Sequence, residues 1–154
     1  MRIAIIPVAL LPFLGPGVSM ADDVTALTEK CAACHGPEGH SEQPDVPVIA
    51  GFSRQGFIDN LEAFRQGERV AIEFHLPDSP AVMMNDIARE LSDAQVEMLA
   101  DYYSAQTFRP RKQDFDEQLA REGAVVHERL CERCHSSGGS DPQDDAAILA
   151  GQWT

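Results

Sequence analysis

Aromatic side chains are scarce in this 154-residue chain, at 6% of residues, and Trp153 is its only tryptophan. A small domain so short of large apolar groups has difficulty filling a core by itself. A bulky apolar cofactor is therefore expected at its centre. Positive charge is equally thin: twelve Lys and Arg stand against 25 Asp and Glu, a formal net charge of −13. That balance argues against nucleic acid, whose phosphates need clustered basic residues, and disfavours docking on an anionic membrane surface. It suits solubility, or steering toward basic partners, an attraction that salt would weaken.

Long hydrophobic runs are missing too. The apolar stretch from Ile3 to Leu14 is too short for a comfortable membrane span, and no later segment is longer. It follows Arg2 and ends at Gly15-Pro16-Gly17, with small residues Ser19 and Ala21 placed at −3 and −1 of a cut before Asp22. Residues 1–21 are expected to be an export signal and the mature chain periplasmic.

Cysteine is sparse, and its placement is the strongest signal. All four cysteines fall in two motifs, Cys31-Ala-Ala-Cys34-His35 and Cys131-Glu-Arg-Cys134-His135, one hundred residues apart. The match continues without a gap: Gly39 with Gly139, Gln43 with Gln143, Asp45 with Asp145, and Val48-Ile49-Ala50-Gly51 with Ile148-Leu149-Ala150-Gly151. A duplicated domain accounts for this. In Cys-x-x-Cys-His each thiol can add to a haem vinyl group, and the adjacent imidazole then reaches the iron. A Cys₄ zinc site would bring its pairs closer together in sequence, without a His after each. A thioredoxin-like disulfide would sit near a βαβ pattern, which is absent. Two covalently bound haem c groups are expected, on Cys31 and Cys34 and on Cys131 and Cys134, with His35 and His135 on the irons.

The periodicity is helical throughout, with no convincing strand alternation. Helices are expected over residues 22–30, running into the first motif, then over about 55–66 with Phe57, Leu61 and Phe64 on one face and Gly67 as a stop. Residues 68–85 read as irregular, broken by Pro77 and Pro80. Ser92 and Gln95 form a capping box before a helix with Val96, Leu99, Ala100 and Tyr103 on its apolar face. A sixth ligand for the first iron is sought among Met83, Met84 and Met98, with His75 as rival; Met98 lies off the apolar stripe, and pattern alone does not separate Met83 from Met84. His40 and His127 are expected to be structural or surface residues, and Trp153 a core or interface residue.

These motifs give the chain the look of two class I cytochrome c domains in tandem. More closely it resembles the cytochrome subunit of flavocytochrome c sulfide dehydrogenase, on Gln106 to Asp116, on Cys131 to His135 and on Ile148 to Thr154. The resemblance implies an all-α fold, a first domain over 22–108 and the start of a second over 109–154. It implies Met84, rather than Met83, on the first iron. It also implies a carbonyl at Pro47 supporting the iron-bound His35, with Ala147 in the second copy. The implied function is electron transfer. An FAD-containing flavoprotein subunit would oxidise sulfide, and the haems would pass electrons to a soluble c-type cytochrome, this chain having no substrate site of its own. A free-standing dihaem shuttle to an oxidase or photosynthetic centre is the alternative, and a dihaem peroxidase a more distant one.

The second copy reads as incomplete. A helix is expected over about 114–130, with Phe115, Leu119, Gly123, Val126 and Leu130 on one face, Gly123 permitting close approach of a partner helix. No such helix follows in the nineteen residues from Ser136 to Thr154, and none of them is Met. The expectation is that the native chain continues and supplies the second iron's sixth ligand.

Overall fold

The computed structural model describes residues 20–76 and 80–152. The expected export signal, except Met20 and Ala21, lies outside the described residues, as do Pro77 and Trp153. The fold is all-α: α1 (Met20–His35), α2 (Arg54–Gln66), α3 (Met84–Glu90), α4 (Asp93–Ser104) and α5 (Glu117–Leu130), with short helical turns at Pro37–Gly39 and Ser136–Gly139. Among the described residues the only extended pairing is an isolated antiparallel bridge between Phe74 and Val82.

Local chemistry sets the helix ends. The Ser53 hydroxyl accepts from the Gly56 N–H at the start of α2, and Gly67 closes it in the left-handed region at φ 77°. The capping box of Ser92 and Gln95 is formed at α4. The Asp116 carboxylate accepts from the N–H groups of Gln118 and Leu119 at α5. The expected face of α4 is buried through Val96, Leu99, Ala100 and Tyr103, and α2 meets it with Phe57 and Leu61. Tyr103 is 1% exposed and stacks on Phe57 with ring centroids 5.4 Å apart. Arg54 of α2 pairs with Glu97 and Asp101 of α4 across the same junction. Leu27 and Cys31 of α1 pack against this cluster, and so does Ala147, while Ile148 is buried within it. The two copies of the repeat therefore share one apolar core.

Two expectations change. The first helix does not stop at Lys30 but runs through both cysteines to His35. The segment 68–85 is irregular only as far as Met83; Met84 opens α3, a helix the sequence reading missed. The helix is short, so its periodicity is hard to see, and a buried polar residue holds it. Asn85 is 5% exposed; its Nδ2 donates to the carbonyls of Phe64 (2.8 Å) and Arg69 (2.7 Å), and its Oδ1 accepts from the Ala71 N–H (2.8 Å). Arg65 closes the other end by donating to the Leu91 carbonyl at 3.0 Å.

By contrast α5 buries none of its residues. Phe115, Leu119, Val126 and Leu130 are exposed, Leu130 at 76%, and Gly123 has no neighbouring atom within reach of an added Cβ.

Truncating Asn85 removes three part-buried hydrogen bonds to the backbone of Phe64, Arg69 and Ala71. Asn85→Ala is expected to lower the unfolding free energy by about 1–3 kcal/mol in a denaturant titration. Arg54→Ala, which removes exposed ion pairs only, should cost no more than about 1 kcal/mol. Equal losses in the two variants would show that Asn85 does not hold the segment.

Candidate haem-binding site

Because α1 continues through the first motif, Cys31 and Cys34 stand about one turn apart, and His35 lies one turn beyond Cys31. The chain then reverses sharply. Gly36 has φ 72°, Glu38 φ 56° and Gly39 φ 84°. At Gly39 an added Cβ would crowd the Ala50 nitrogen, the Ile49 side chain and the Tyr103 ring, so glycine is required there for both reasons. The Gly39 carbonyl accepts from the N–H groups of Ile49 (2.9 Å) and Ala50 (3.3 Å). This folds the Pro47 carbonyl back to His35, whose Nδ1 lies 2.9 Å from it. A carbonyl can only accept, so Nδ1 carries the proton. His35 is 6% exposed, and burial holds its pKa below the ordinary histidine value. The ring is thus neutral, with an Nε2 lone pair free for a metal.

The second motif repeats this geometry. His135 Nδ1 lies 3.0 Å from the Ala147 carbonyl. The Gly139 carbonyl accepts from Leu149 (2.9 Å) and Ala150 (3.0 Å), with Ser137 at φ 55°, Gly138 at φ 68° and Gly139 at φ 80°. Exchanging Pro47 for Ala147 leaves the carbonyl intact, so the bond survives. The copies differ in how the cysteines are carried. Cys131 ends α5, and the second motif traces turns in which the His135 N–H donates to the Cys131 carbonyl at 2.9 Å.

Among the sixth-ligand candidates, Met84 is half-buried at the start of α3 and packs against the cluster that Cys31 also touches. Met83 precedes it in extended conformation, Met98 is half-buried on α4, and His75 is exposed. His40 and His127 are half-buried; His127 Nδ1 lies 3.1 Å from Glu132.

No disulfide joins any of the four cysteines. Burial raises the pKa of Cys31, against the lowering effect of a hydrogen bond with Tyr103, and burial also raises that of Cys34. Thiols kept protonated are poor partners for disulfide exchange. Among the described residues no three His, Cys, Asp or Glu side chains group so as to hold a metal ion, so the two cysteine pairs do not converge on a Cys₄ centre. The residues fit haem c instead: two thiols per motif for the vinyl groups, a neutral oriented imidazole, and apolar side chains such as Leu119, Val126 and Leu130 left facing solvent. Two residues of this neighbourhood escaped the sequence reading. Asn85 looked like a loop polar residue, and only its burial shows its role. Gln152 donates to the Val48 carbonyl (2.8 Å) and accepts from the Val48 N–H (2.9 Å); the signal was its register with Phe52 in the first copy.

Comparison with known proteins agrees with this geometry. The cytochrome c family profile matches residues 22–105. The chain is 37% identical over 75 residues to a thiosulfate dehydrogenase electron acceptor from Stutzerimonas stutzeri, covering 49% of this chain and 32% of that protein. It is 33% identical over 89 residues to cytochrome c-554(548) of Halomonas halodenitrificans, covering 56% of this chain and 99% of that one. The structure of cytochrome c4 from Acidithiobacillus ferrooxidans superposes with a TM-score of 0.60 at 27% identity, over 81% of this chain and 74% of that one. The chain spans about a third of the first relative and about half the length of the cytochrome c4 sequences it also matches. No helix among the described residues is long and apolar enough to cross a membrane. A duplicated Cys-x-x-Cys-His segment with its imidazole held from behind, on an all-α fold shared with these carriers, places the chain in the cytochrome c family of electron-transfer proteins.

Proposed function

We propose that the chain is an exported dihaem electron carrier. Cys31 and Cys34 hold one haem c, and Cys131 and Cys134 hold a second. His35 and Met84 are the axial ligands of the first iron, and His135 is a ligand of the second. The observation that supports this most strongly is the paired bond from each motif histidine to a backbone carbonyl, 2.9 Å at Pro47 and 3.0 Å at Ala147. Bound haem supplies one-electron chemistry at an iron whose potential its ligands and surroundings set. The chain's own residues do the rest. The thiols fix the group covalently, the carbonyls orient the imidazoles, and Asn85 anchors the segment that presents Met84.

The electron donor in this reading is an FAD-containing flavoprotein subunit that oxidises sulfide, and the acceptor is a soluble c-type cytochrome in the periplasm. The segments from Gln106 to Asp116 and from Ile148 to Thr154 support that partnership by resemblance. The boundary near residue 109 would divide a first haem domain from the start of a second. The net charge of −13 favours basic docking surfaces on the partners. A second reading, a free-standing shuttle, draws support from the relative that accepts electrons from thiosulfate dehydrogenase.

Four outcomes are expected. The exported chain should carry haem at both motifs that resists extraction into acid acetone. Cys31→Ala with Cys34→Ala should halve the haem per chain, and a full complement in that variant would refute the assignment. Met84→Ala should convert the first haem to a high-spin spectrum while Met83→Ala leaves it low-spin; the reverse pattern would move the ligand to Met83. Isolation of the native complex, with flavin content and sulfide-dependent reduction measured together, tests the donor. Copurification with a flavoprotein is expected, and a haem-only monomer that ignores sulfide but accepts electrons from a thiosulfate-oxidising enzyme would select the second reading.

A further inference from the structure

The Pro47 carbonyl and the Val48 N–H are the two ends of a single peptide unit, and no peptide bond among the described residues is cis. His35 Nδ1 donates to one end at 2.9 Å. The other end donates to Gln152 Oε1 at 2.9 Å, while Gln152 Nε2 donates to the Val48 carbonyl at 2.8 Å. Val48 is 0% exposed and Gln152 half-buried, so water reaches the clasp only from the Gln152 side. Gln152 is itself held: its carbonyl accepts from Gln113 Nε2 at 2.6 Å, and the carbonyl of the preceding Gly151 accepts from the Arg111 N–H at 2.7 Å. A side chain from the second copy is thus in hydrogen-bonded series with the proximal histidine of the first.

Hydrogen bonds through one amide polarise each other. An acceptor on the Val48 N–H draws charge toward the Pro47 oxygen and makes it a better acceptor for the imidazole N–H. A more strongly bonded N–H makes the imidazole a more basic ligand, which favours the oxidised iron. The second copy has no equivalent side chain. The first copy would have to supply it from the register position of Gln152, and that position is Phe52, whose side chain can neither donate nor accept.

We propose that Gln152 is a positioning residue for the first haem site. It polarises the Pro47–Val48 peptide, strengthens His35 as a ligand, and favours the oxidised form of the first haem more than the same ligand set would without it. The duplicated sites are thereby made unequal by one side chain. This rests on the reading of His35 as an iron ligand.

The test uses the full haem-loaded chain in four forms: unchanged, Gln152→Ala, Gln152→Glu and Ser53→Ala. Ser53 Oγ donates to Asp145 Oδ1 at 3.0 Å, so its loss loosens the same junction without touching Val48. The first haem is followed through its methionine–iron absorption band during redox titration, and the Val48 amide through hydrogen exchange. In Gln152→Ala the first haem should favour the reduced form by on the order of threefold more, with the second haem unmoved, and Val48 exchange should rise about tenfold. Gln152→Glu loses the donor to the Val48 carbonyl but keeps a stronger, charged acceptor on the Val48 N–H, and should favour the oxidised form at least as much as the parent does, which a purely structural role would not. Ser53→Ala should leave the first haem unmoved. An unchanged redox equilibrium in Gln152→Ala alongside faster Val48 exchange would overturn the relay, as would equal shifts in Gln152→Glu or Ser53→Ala. If the unchanged chain showed no haem at the first motif, or His35→Ala left its ligation intact, the ligand reading would have failed first, and the inference with it.

Discussion

A backbone carbonyl twelve residues downstream of each motif histidine accepts that histidine's Nδ1 proton, and most of the local structure exists to keep it there. The tautomer, the ring's orientation and the freedom of Nε2 all follow from that bond. It requires the chain to reverse within a few residues, which is why left-handed backbone is concentrated between His35 and Gly39 and again between Ser137 and Gly139. Non-glycine residues occupy two of those strained positions, Glu38 at φ 56° and Ser137 at φ 55°. Such strain persists only where the surroundings over-determine it. Here the carbonyls of Gly39 and Gly139 are each fixed by two N–H donors.

The same constraint explains which parts of the chain share a core. The returning strand-like segment from Val46 to Phe52 is almost wholly buried, apart from Pro47 and Ile49, and it lies against α4 through the bond from the Gly51 N–H to the Tyr103 carbonyl at 2.9 Å. The α2–α4 pair is then a rigid wall behind the first site. Burial pushes the Tyr103 hydroxyl's pKa well above its ordinary value, with the neighbouring Cys31 adding to the shift, so the ring faces the motif as a neutral donor. The second site has no such wall among the described residues: α5 exposes its apolar face, and only Ile148 and its neighbour Ala147 draw the second loop into the apolar cluster.

Much of this was legible in the sequence because it depends on periodicity and on fixed residue types. The Cys-x-x-Cys-His spacing, the gapless one-hundred-residue repeat, the capping box at Ser92 and the face of Val96, Leu99, Ala100 and Tyr103 all reappear as structure. What escaped the reading depends on tertiary partners. The helix at Met84 is seven residues long, too short for a period to show, and its anchor is an Asn whose three bonds go to Phe64 in the last turn of α2, twenty-one residues away, and to Arg69 and Ala71, sixteen and fourteen away. The continuation of α1 through the first motif was open to the reading, since cysteines and alanines carry no strong stop signal; only its end at His35 waited on the turn that follows.

Duplication makes the remaining differences informative, because each position has an internal control. Where only the backbone is used, divergence is harmless: Pro47 became Ala147, and the distance to the histidine hardly changed. Where a side chain crosses between copies, divergence alters the physics. Position 48 of the first copy meets position 152 of the second through an amide clasp, whereas Phe52 and Ile148, the reciprocal pair in register, share an apolar cluster instead. A contact that began as two equivalent halves now has one polar and one apolar side. An apolar contact transmits volume and little else, while a hydrogen-bonded amide also transmits polarisation. The junction that holds the copies together is therefore electrically one-directional, running from the second copy toward the first histidine. Two sites built from the same motif need not work at the same potential.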